Sequence, residues 1–223
     1  SSSTLSSPIN AEFIGAFDNS RITLPSGEIL SYHDGAQEKP ALLFLHGLNA
    51  HSGTWRNNAA FFSTESRVLA PSLPPWHGSQ KDLDIGPYVE SLKQFLAELG
   101  VRRVSIVGNS MGGWIAMRLA ADLNGKVEGL VLEDTAGTSD PRDPKLLTKV
   151  EKSGVPVLII WGKNDKILPL EVGKYLHSKI KASTFVVLDG VGHVPHWEVP
   201  DIFNKLVMDF LMRVKETQSR PDK

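Results

Sequence analysis

Short apolar runs alternate with amphipathic stretches along most of this chain. Residues 41–45 and 155–160 are continuous apolar runs bounded by turn residues, the pattern of a strand buried on both faces. Residues 127–132 read the same way, and 67–70, 103–107 and 184–188 are shorter strand-like segments. Between them apolar positions recur at helical spacing. Over 86–99 they are Val89, Leu92, Phe95, Leu96 and Leu99, stopped by Gly100. Residues 111–123 (closed by Gly125), 169–180 and 201–214 also predict helices, and 54–62 and 144–152 predict short ones. Nearer the start, 12–17 and 21–24 predict short strands. Pro25-Ser26-Gly27-Glu28 then turns the chain into a returning strand over 29–33. Strands that alternate with helices predict an α/β domain: a mostly parallel central sheet with helices on both faces, preceded by an antiparallel hairpin. No repeat or Gly/Ser linker divides the chain. One domain over 12–214 is expected, with flexible tails at 1–11 and 215–223.

Composition narrows the class. Hydrophobic residues are 41% and charged residues 22% of the 223, values typical of a globular protein with a sizeable core. Lys and Arg number 24 against 25 Asp and Glu, with no dense basic block, so neither nucleic acid nor an anionic membrane is an expected partner. The chain has no cysteine, which excludes disulfides, thiolate metal sites and a cysteine nucleophile. No apolar run approaches the roughly 18 residues of a membrane span. The opening Ser1-Ser2-Ser3-Thr4-Leu5-Ser6-Ser7-Pro8 has neither the basic nor the apolar region of a secretory signal. It reads as a flexible tail, with a processed leader as the alternative, and the expected location is the cytoplasm or another soluble compartment.

The candidate chemistry starts at Gly108-Asn109-Ser110-Met111-Gly112, a G-x-S-x-G sequence lying between a predicted strand and a predicted helix. That setting is the one in which a sharp turn lifts a serine hydroxyl above the end of a sheet. Side chains two residues to either side would meet backbone, which accounts for Gly108 and Gly112. The N–H of Met111, at the helix start, then faces a developing oxyanion. A hydroxyl needs an adjacent base. Of seven histidines, His193 sits among small residues (Gly190-Val191-Gly192-His193) between the last strand and the last helix; His196 is its rival. A third group must fix the base's tautomer. Asp165 follows the strand over 155–160, and the order Ser, Asp, His suits this fold class. Asp134, at the end of the neighbouring strand, is the alternative. His46-Gly47-Leu48 ends the strand over 41–45. The N–H of Leu48 is the second oxyanion candidate, and His46 is read as structural. Of the tryptophans near the expected mouth (Trp55, Trp76, Trp114 and Trp197), packing is the preferred role for most, and Trp76 is the candidate substrate contact.

Four segments together resemble the α/β-hydrolase superfamily over about 29–211: Leu45-His46-Gly47 with Trp55 beyond it, Gly108-Asn109-Ser110-Met111-Gly112-Gly113, Trp161-Gly162-Lys163-Asn164-Asp165, and Gly192-His193-Val194-Pro195. The resemblance implies an esterase-like serine hydrolase and favours His193 over His196. Its relatives usually carry an aspartate where Ser72 stands and a glycine near Pro75. Many insert a helical lid where this chain has only a short connection, so a lidless or minimal-lid member is expected. The carbon–carbon bond hydrolases it resembles depend on a lid, and its dehalogenase and epoxide hydrolase relatives place aspartate at the Ser110 position; both activities are disfavoured. The reading is hydrolysis of a small-molecule carboxylic ester or thioester through an acyl-enzyme, with no cofactor and no metal. The rival readings are a ligand-binding receptor or slow-turnover protein on the same scaffold, and a serine acyltransferase or amidase.

Overall fold

The computed structural model describes residues 17–35 and 38–219. The strand expected over 12–17 lies outside the described residues apart from Phe17. The strands are β1 (Ser20–Thr23), β2 (Ile29–Asp34), β3 (Ala41–Leu45), β4 (Arg67–Pro71), β5 (Val104–Asn109), β6 (Val127–Glu133), β7 (Val157–Gly162) and β8 (Thr184–Leu188). They form a single sheet in the order β1-β2-β4-β3-β5-β6-β7-β8. β1 and β2 make the antiparallel hairpin, β2 joins β4 antiparallel, and every later pairing is parallel. The helices are α1 (Arg56–Phe62), α2 (Gly86–Glu98), α3 (Met111–Asp122), α4 (Leu146–Ser153), α5 (Leu170–Lys179), α6 (Pro195–Glu198) and α7 (Pro200–Gln218). Short 3-10 turns at Ser52–Trp55 and Gln80–Asp82, and the four-residue α6, lack the periodicity that sequence reading detects. The last helix continues to Gln218, past the point where its apolar spacing stops.

Side-chain alternation along each strand builds two cores. Leu43 and Leu45 of β3 join one, with Leu92 and Phe95 of α2, Ile115 of α3 and Leu176 of α5. Leu42 and Phe44 point to the other, with Phe62 of α1 and Phe203, Val207 and Phe210 of α7. Successive strand residues face opposite sides of a sheet, so a strand covered by helices on both faces must be apolar throughout. The continuous runs in the sequence have this cause.

Where β5 passes into α3 the backbone is packed without room for side chains. A Cβ on Gly108 would stand 2.3 Å from the carbonyl oxygen of Gly112, and one on Gly112 would stand 2.1 Å from that of Leu45. The chain therefore turns tightly at the centre of the sheet, next to the end of β3. Among the described residues no helix is long and apolar enough to cross a membrane.

Gly112→Ala tests this packing, because its clash is with main chain that cannot rotate away. Expected is a loss of about 3 kcal/mol in stability, read as a lower urea midpoint; an unchanged midpoint would show that the turn can open at no cost.

Candidate active site

Ser110 occupies the turn between β5 and α3 with φ 54° and ψ −116°. A non-glycine residue there carries strain of about 1–3 kcal/mol and persists only when its surroundings hold it. They do. Its N–H donates to the Glu133 carbonyl at 3.0 Å, and its own carbonyl accepts from Gly113 (3.0 Å), Trp114 (3.2 Å) and Ala136 (3.1 Å). The hydroxyl thus rises from the carboxyl end of a central strand. Met111 is the first residue of α3, where helical N–H groups have no partner within the helix. Gly47 packs against the same serine: a Cβ built on it would lie 3.4 Å from Ser110 Cβ. The backbone leading into Leu48 is therefore beside the elbow.

His193 lies on the loop between β8 and α6. Its Nδ1 is 2.6 Å from Asp165 Oδ2, with the Asp165 side chain wholly buried and that of His193 16% exposed. The other Asp165 oxygen accepts the N–H groups of Ile167 (2.7 Å) and Leu168 (2.9 Å). Burial alone would raise the Asp165 pKa. The hydrogen bonds from His193, Asp134, Leu168 and Ile167 outweigh it and hold the carboxyl at about 2. An ionised Asp165 can only accept, so Nδ1 carries a proton; in the neutral ring Nε2 then keeps the lone pair. The imidazole loop is tied to the serine elbow directly: Asn109 Nδ2 donates to the His193 carbonyl at 3.1 Å. It is tied to β7 by close contact, since a Cβ on Gly162 would fall 1.9 Å from the Gly192 carbonyl oxygen.

Asp134 joins this group. It follows β6 with φ 43°, and both its oxygens lie within reach of the Gly162 N–H, at 3.2 and 3.1 Å. Its carboxyl is in hydrogen-bond contact with Asp165. Burial, the contact with Asp165 and the nearby charges of Glu133 and Asp165 push it up to about 11, against a small opposing pull from the Gly162 N–H. Sequence reading treats Asp134 and Asp165 as competitors for one role, whereas the structure has them in contact. The signal was the pairing of β6 with β7, which puts the two strand ends side by side.

His196, the rival base, is buried on the opposite side of β6. Its Nδ1 contacts Glu133 at 2.7 Å, its Nε2 is 2.8 Å from Thr54 Oγ1, and its ring stacks on Trp55 with centroids 3.8 Å apart. Trp55, expected near the mouth, is fully buried in this cluster. His46 is structural: Nε2 accepts the Leu73 N–H at 2.8 Å, and Nδ1 lies 2.7 Å from the Gly47 carbonyl. Burial lowers its pKa to about 4. Trp76 folds back on its own loop, donating to the Ser79 carbonyl, while its backbone N–H donates to Asn49 Oδ1 at 2.9 Å. Trp114 is buried and Trp197 exposed. The aspartate missing at position 72 has a substitute. Asp18 accepts from the hydroxyls of Ser52 and Ser72, which are themselves 2.8 Å apart.

Asp134, Asp165 and His193 each offer a ligand atom within 4.8 Å of the others. The histidine nitrogen facing the acids is protonated and both Asp165 oxygens are already engaged, so these atoms form a hydrogen-bonded chain that a cation would have to break.

Comparison with known proteins agrees with this architecture. Residues 42–148 match the model of the Alpha/beta hydrolase family. A 2-hydroxy-6-oxononadienedioate/2-hydroxy-6-oxononatrienedioate hydrolase of Paraburkholderia phymatum is 27% identical over 263 aligned positions, which cover 81% of this chain and 90% of the relative. More positions are aligned than this chain has residues, so that relative carries insertions absent here. An alpha/beta hydrolase enzyme from the metagenome of sediments of the lagoon of Mar Chica, Morocco, has a TM-score of 0.71 at 25% identity, over 82% of this chain and 95% of its own. A meta-cleavage product hydrolase from Pseudomonas fluorescens IP01 superposes with a TM-score of 0.76 at 19% identity, over 89% and 99%; at that identity it speaks for the fold alone. The fold is that of the α/β-hydrolases, residues 42–148 match that family's model, and relatives over most of the chain are named as hydrolases.

The buried His46 sets a pH dependence of stability. Its folded pKa lies below the unfolded value of about 6.5, so as pH falls the unfolded chain takes up a proton first. Stability should drop between about pH 6.5 and 4, by up to about 3 kcal/mol from this group. In His46→Gln the unfolding midpoint should fall less steeply across that window; an identical slope would refute the assignment.

Proposed function

We propose that the chain is a serine hydrolase of carboxylic esters or thioesters that works through an acyl-enzyme. Ser110 is the nucleophile, His193 the general base and Asp165 the acid that orients it. The observation that carries this reading is the His193–Asp165 hydrogen bond of 2.6 Å on a loop that Asn109 ties to the serine turn. With Nδ1–H held by Asp165, Nε2 is the nitrogen able to take the Ser110 proton as the hydroxyl attacks the substrate carbonyl. The N–H groups of Leu48 and Met111 stand as donors to the tetrahedral oxyanion, each worth roughly 10²–10³ in turnover. The imidazolium then protonates the leaving alcohol or thiol. Water, deprotonated by the same nitrogen, attacks the acyl group and releases the acid and free serine.

The Paraburkholderia relative is named for a dienedioate substrate cleaved by hydrolysis. Ester or thioester chemistry is preferred here because the connection over 134–156 holds only one helix, the eight-residue α4. A site without a helical cover has few groups with which to hold a diacid and exclude water during carbon–carbon cleavage. A polar carbonyl with a good leaving group needs less. Trp76, whose backbone N–H donates to Asn49 beside Leu48, is the candidate substrate contact.

Short-chain p-nitrophenyl esters and a fluorophosphonate probe test the reading. Wild-type protein should turn over the esters and be labelled on Ser110. Ser110→Ala should lose at least about 10³ in kcat and all labelling. Equal rates in the two proteins would exclude the mechanism. Ligand binding without turnover in the wild type would favour a receptor on this scaffold.

A further inference from the structure

The site holds one more carboxyl group than a serine, a base and an orienting acid require. Asp134 and Asp165 are both buried and in contact. Two ionised carboxylates side by side away from water repel each other strongly, so one of them keeps a proton. The donors around each decide which. Asp165 receives three N–H groups: His193 Nδ1, Ile167 and Leu168. Among the described residues Asp134 receives one N–H, that of Gly162, at longer distance, and its chain neighbour is the buried Glu133, paired with His196. The charged form is favoured at Asp165 and the neutral form at Asp134.

We propose that Asp134 is a positioning residue that works as a neutral carboxylic acid, donating its proton to the Asp165 carboxylate while the Gly162 N–H fixes it from behind, so that Asp165 is held in line with His193. This rests on the functional reading above and deepens it. Burial and the neighbouring acids hold the Asp134 carboxyl near 11, in accord with a proton retained at neutral pH. The titratable groups that face it are Glu133 on its own strand, Asp165 after β7 and His193 after β8, with His196 behind Glu133. Its left-handed backbone at φ 43° marks a side chain held in place rather than a free strand end. A neutral donor suits the mechanism, because it steers the carboxylate without adding a second charge that would over-stabilise the imidazolium.

Asparagine is the isostere of a protonated aspartate: its oxygen accepts from Gly162 and its amide donates to Asp165. Asp134→Asn should therefore keep kcat within about fivefold of wild type. Asp134→Leu, which cannot donate, should lose about 10² in kcat at little changed KM. Asp165→Asn, which removes the charge, should lose roughly 10³–10⁴. If Asp134→Asn falls as far as Asp165→Asn, Asp134 is itself an ionised acid of the site and the proposal is wrong. If Asp134→Leu is as active as wild type, no positioning occurs. A second measurement needs neither turnover nor a folded leucine variant. On unfolding in urea at pH 7, wild-type protein should release one proton more than Asp134→Asn; equal release overturns the neutral acid. Should the wild type hydrolyse no ester, the functional reading fails by itself, and the proton count still decides the state of Asp134.

Discussion

Close backbone packing between the end of β3 and the turn from β5 into α3 is the constraint on which the site rests. Gly112 lies against the carbonyls of Leu45 and His46, and Gly108 against that of Gly112. No side chain of any size fits between them. The turn is therefore tight enough to force Ser110 to positive φ, and its carbonyl is shared among three backbone donors that keep it there. The same approach brings Gly47, and so the backbone of Leu48, beside the serine. The raised Ser110 and the Leu48 backbone beside it thus share one cause: main chain meeting main chain without an intervening Cβ.

Two adjacent residues at the end of β6 organise the acids. Glu133 ends β6, and Asp134 follows it with φ 43°. Glu133 pairs with the buried His196 on the side of α1 and α7, where Trp55 stacks on the imidazole. Asp134 turns toward Asp165 and His193. One histidine–acid pair is sealed in the core and the other is partly open to solvent. The sealed pair anchors α6 through Glu133, which also accepts the His196 N–H at 2.6 Å. The loop that carries His193 is in this way fixed from beneath, three residues from the ring it presents.

Much of this was legible from the residues. Continuous apolar runs at 41–45 and 155–160 marked strands covered on both faces, and they are β3 and β7 within a residue or two. The meeting of His193 with Asp165 followed from two loops leaving the same edge of a parallel sheet. What escaped were contacts between groups far apart in sequence whose residue types carry no local period. The partnership of Asp134 with Asp165 needs the order of β6 and β7, which pattern alone does not give. The burial of Trp55 depends on His196, more than a hundred residues away. Neither α6 nor the 3-10 turns is long enough to display a period.

Asp18 shows how a missing side chain was replaced. The Pro-rich loop after β4 has Ser72 where the resemblance implies an aspartate, and a carboxylate reaches that serine from Asp18, 54 residues upstream. Asp18 thereby clasps the segment just before β1 to Ser52 and to the loop after β4. The order of that loop is in this way linked, through two serine hydroxyls, to the docking of the segment that leads into the outermost hairpin.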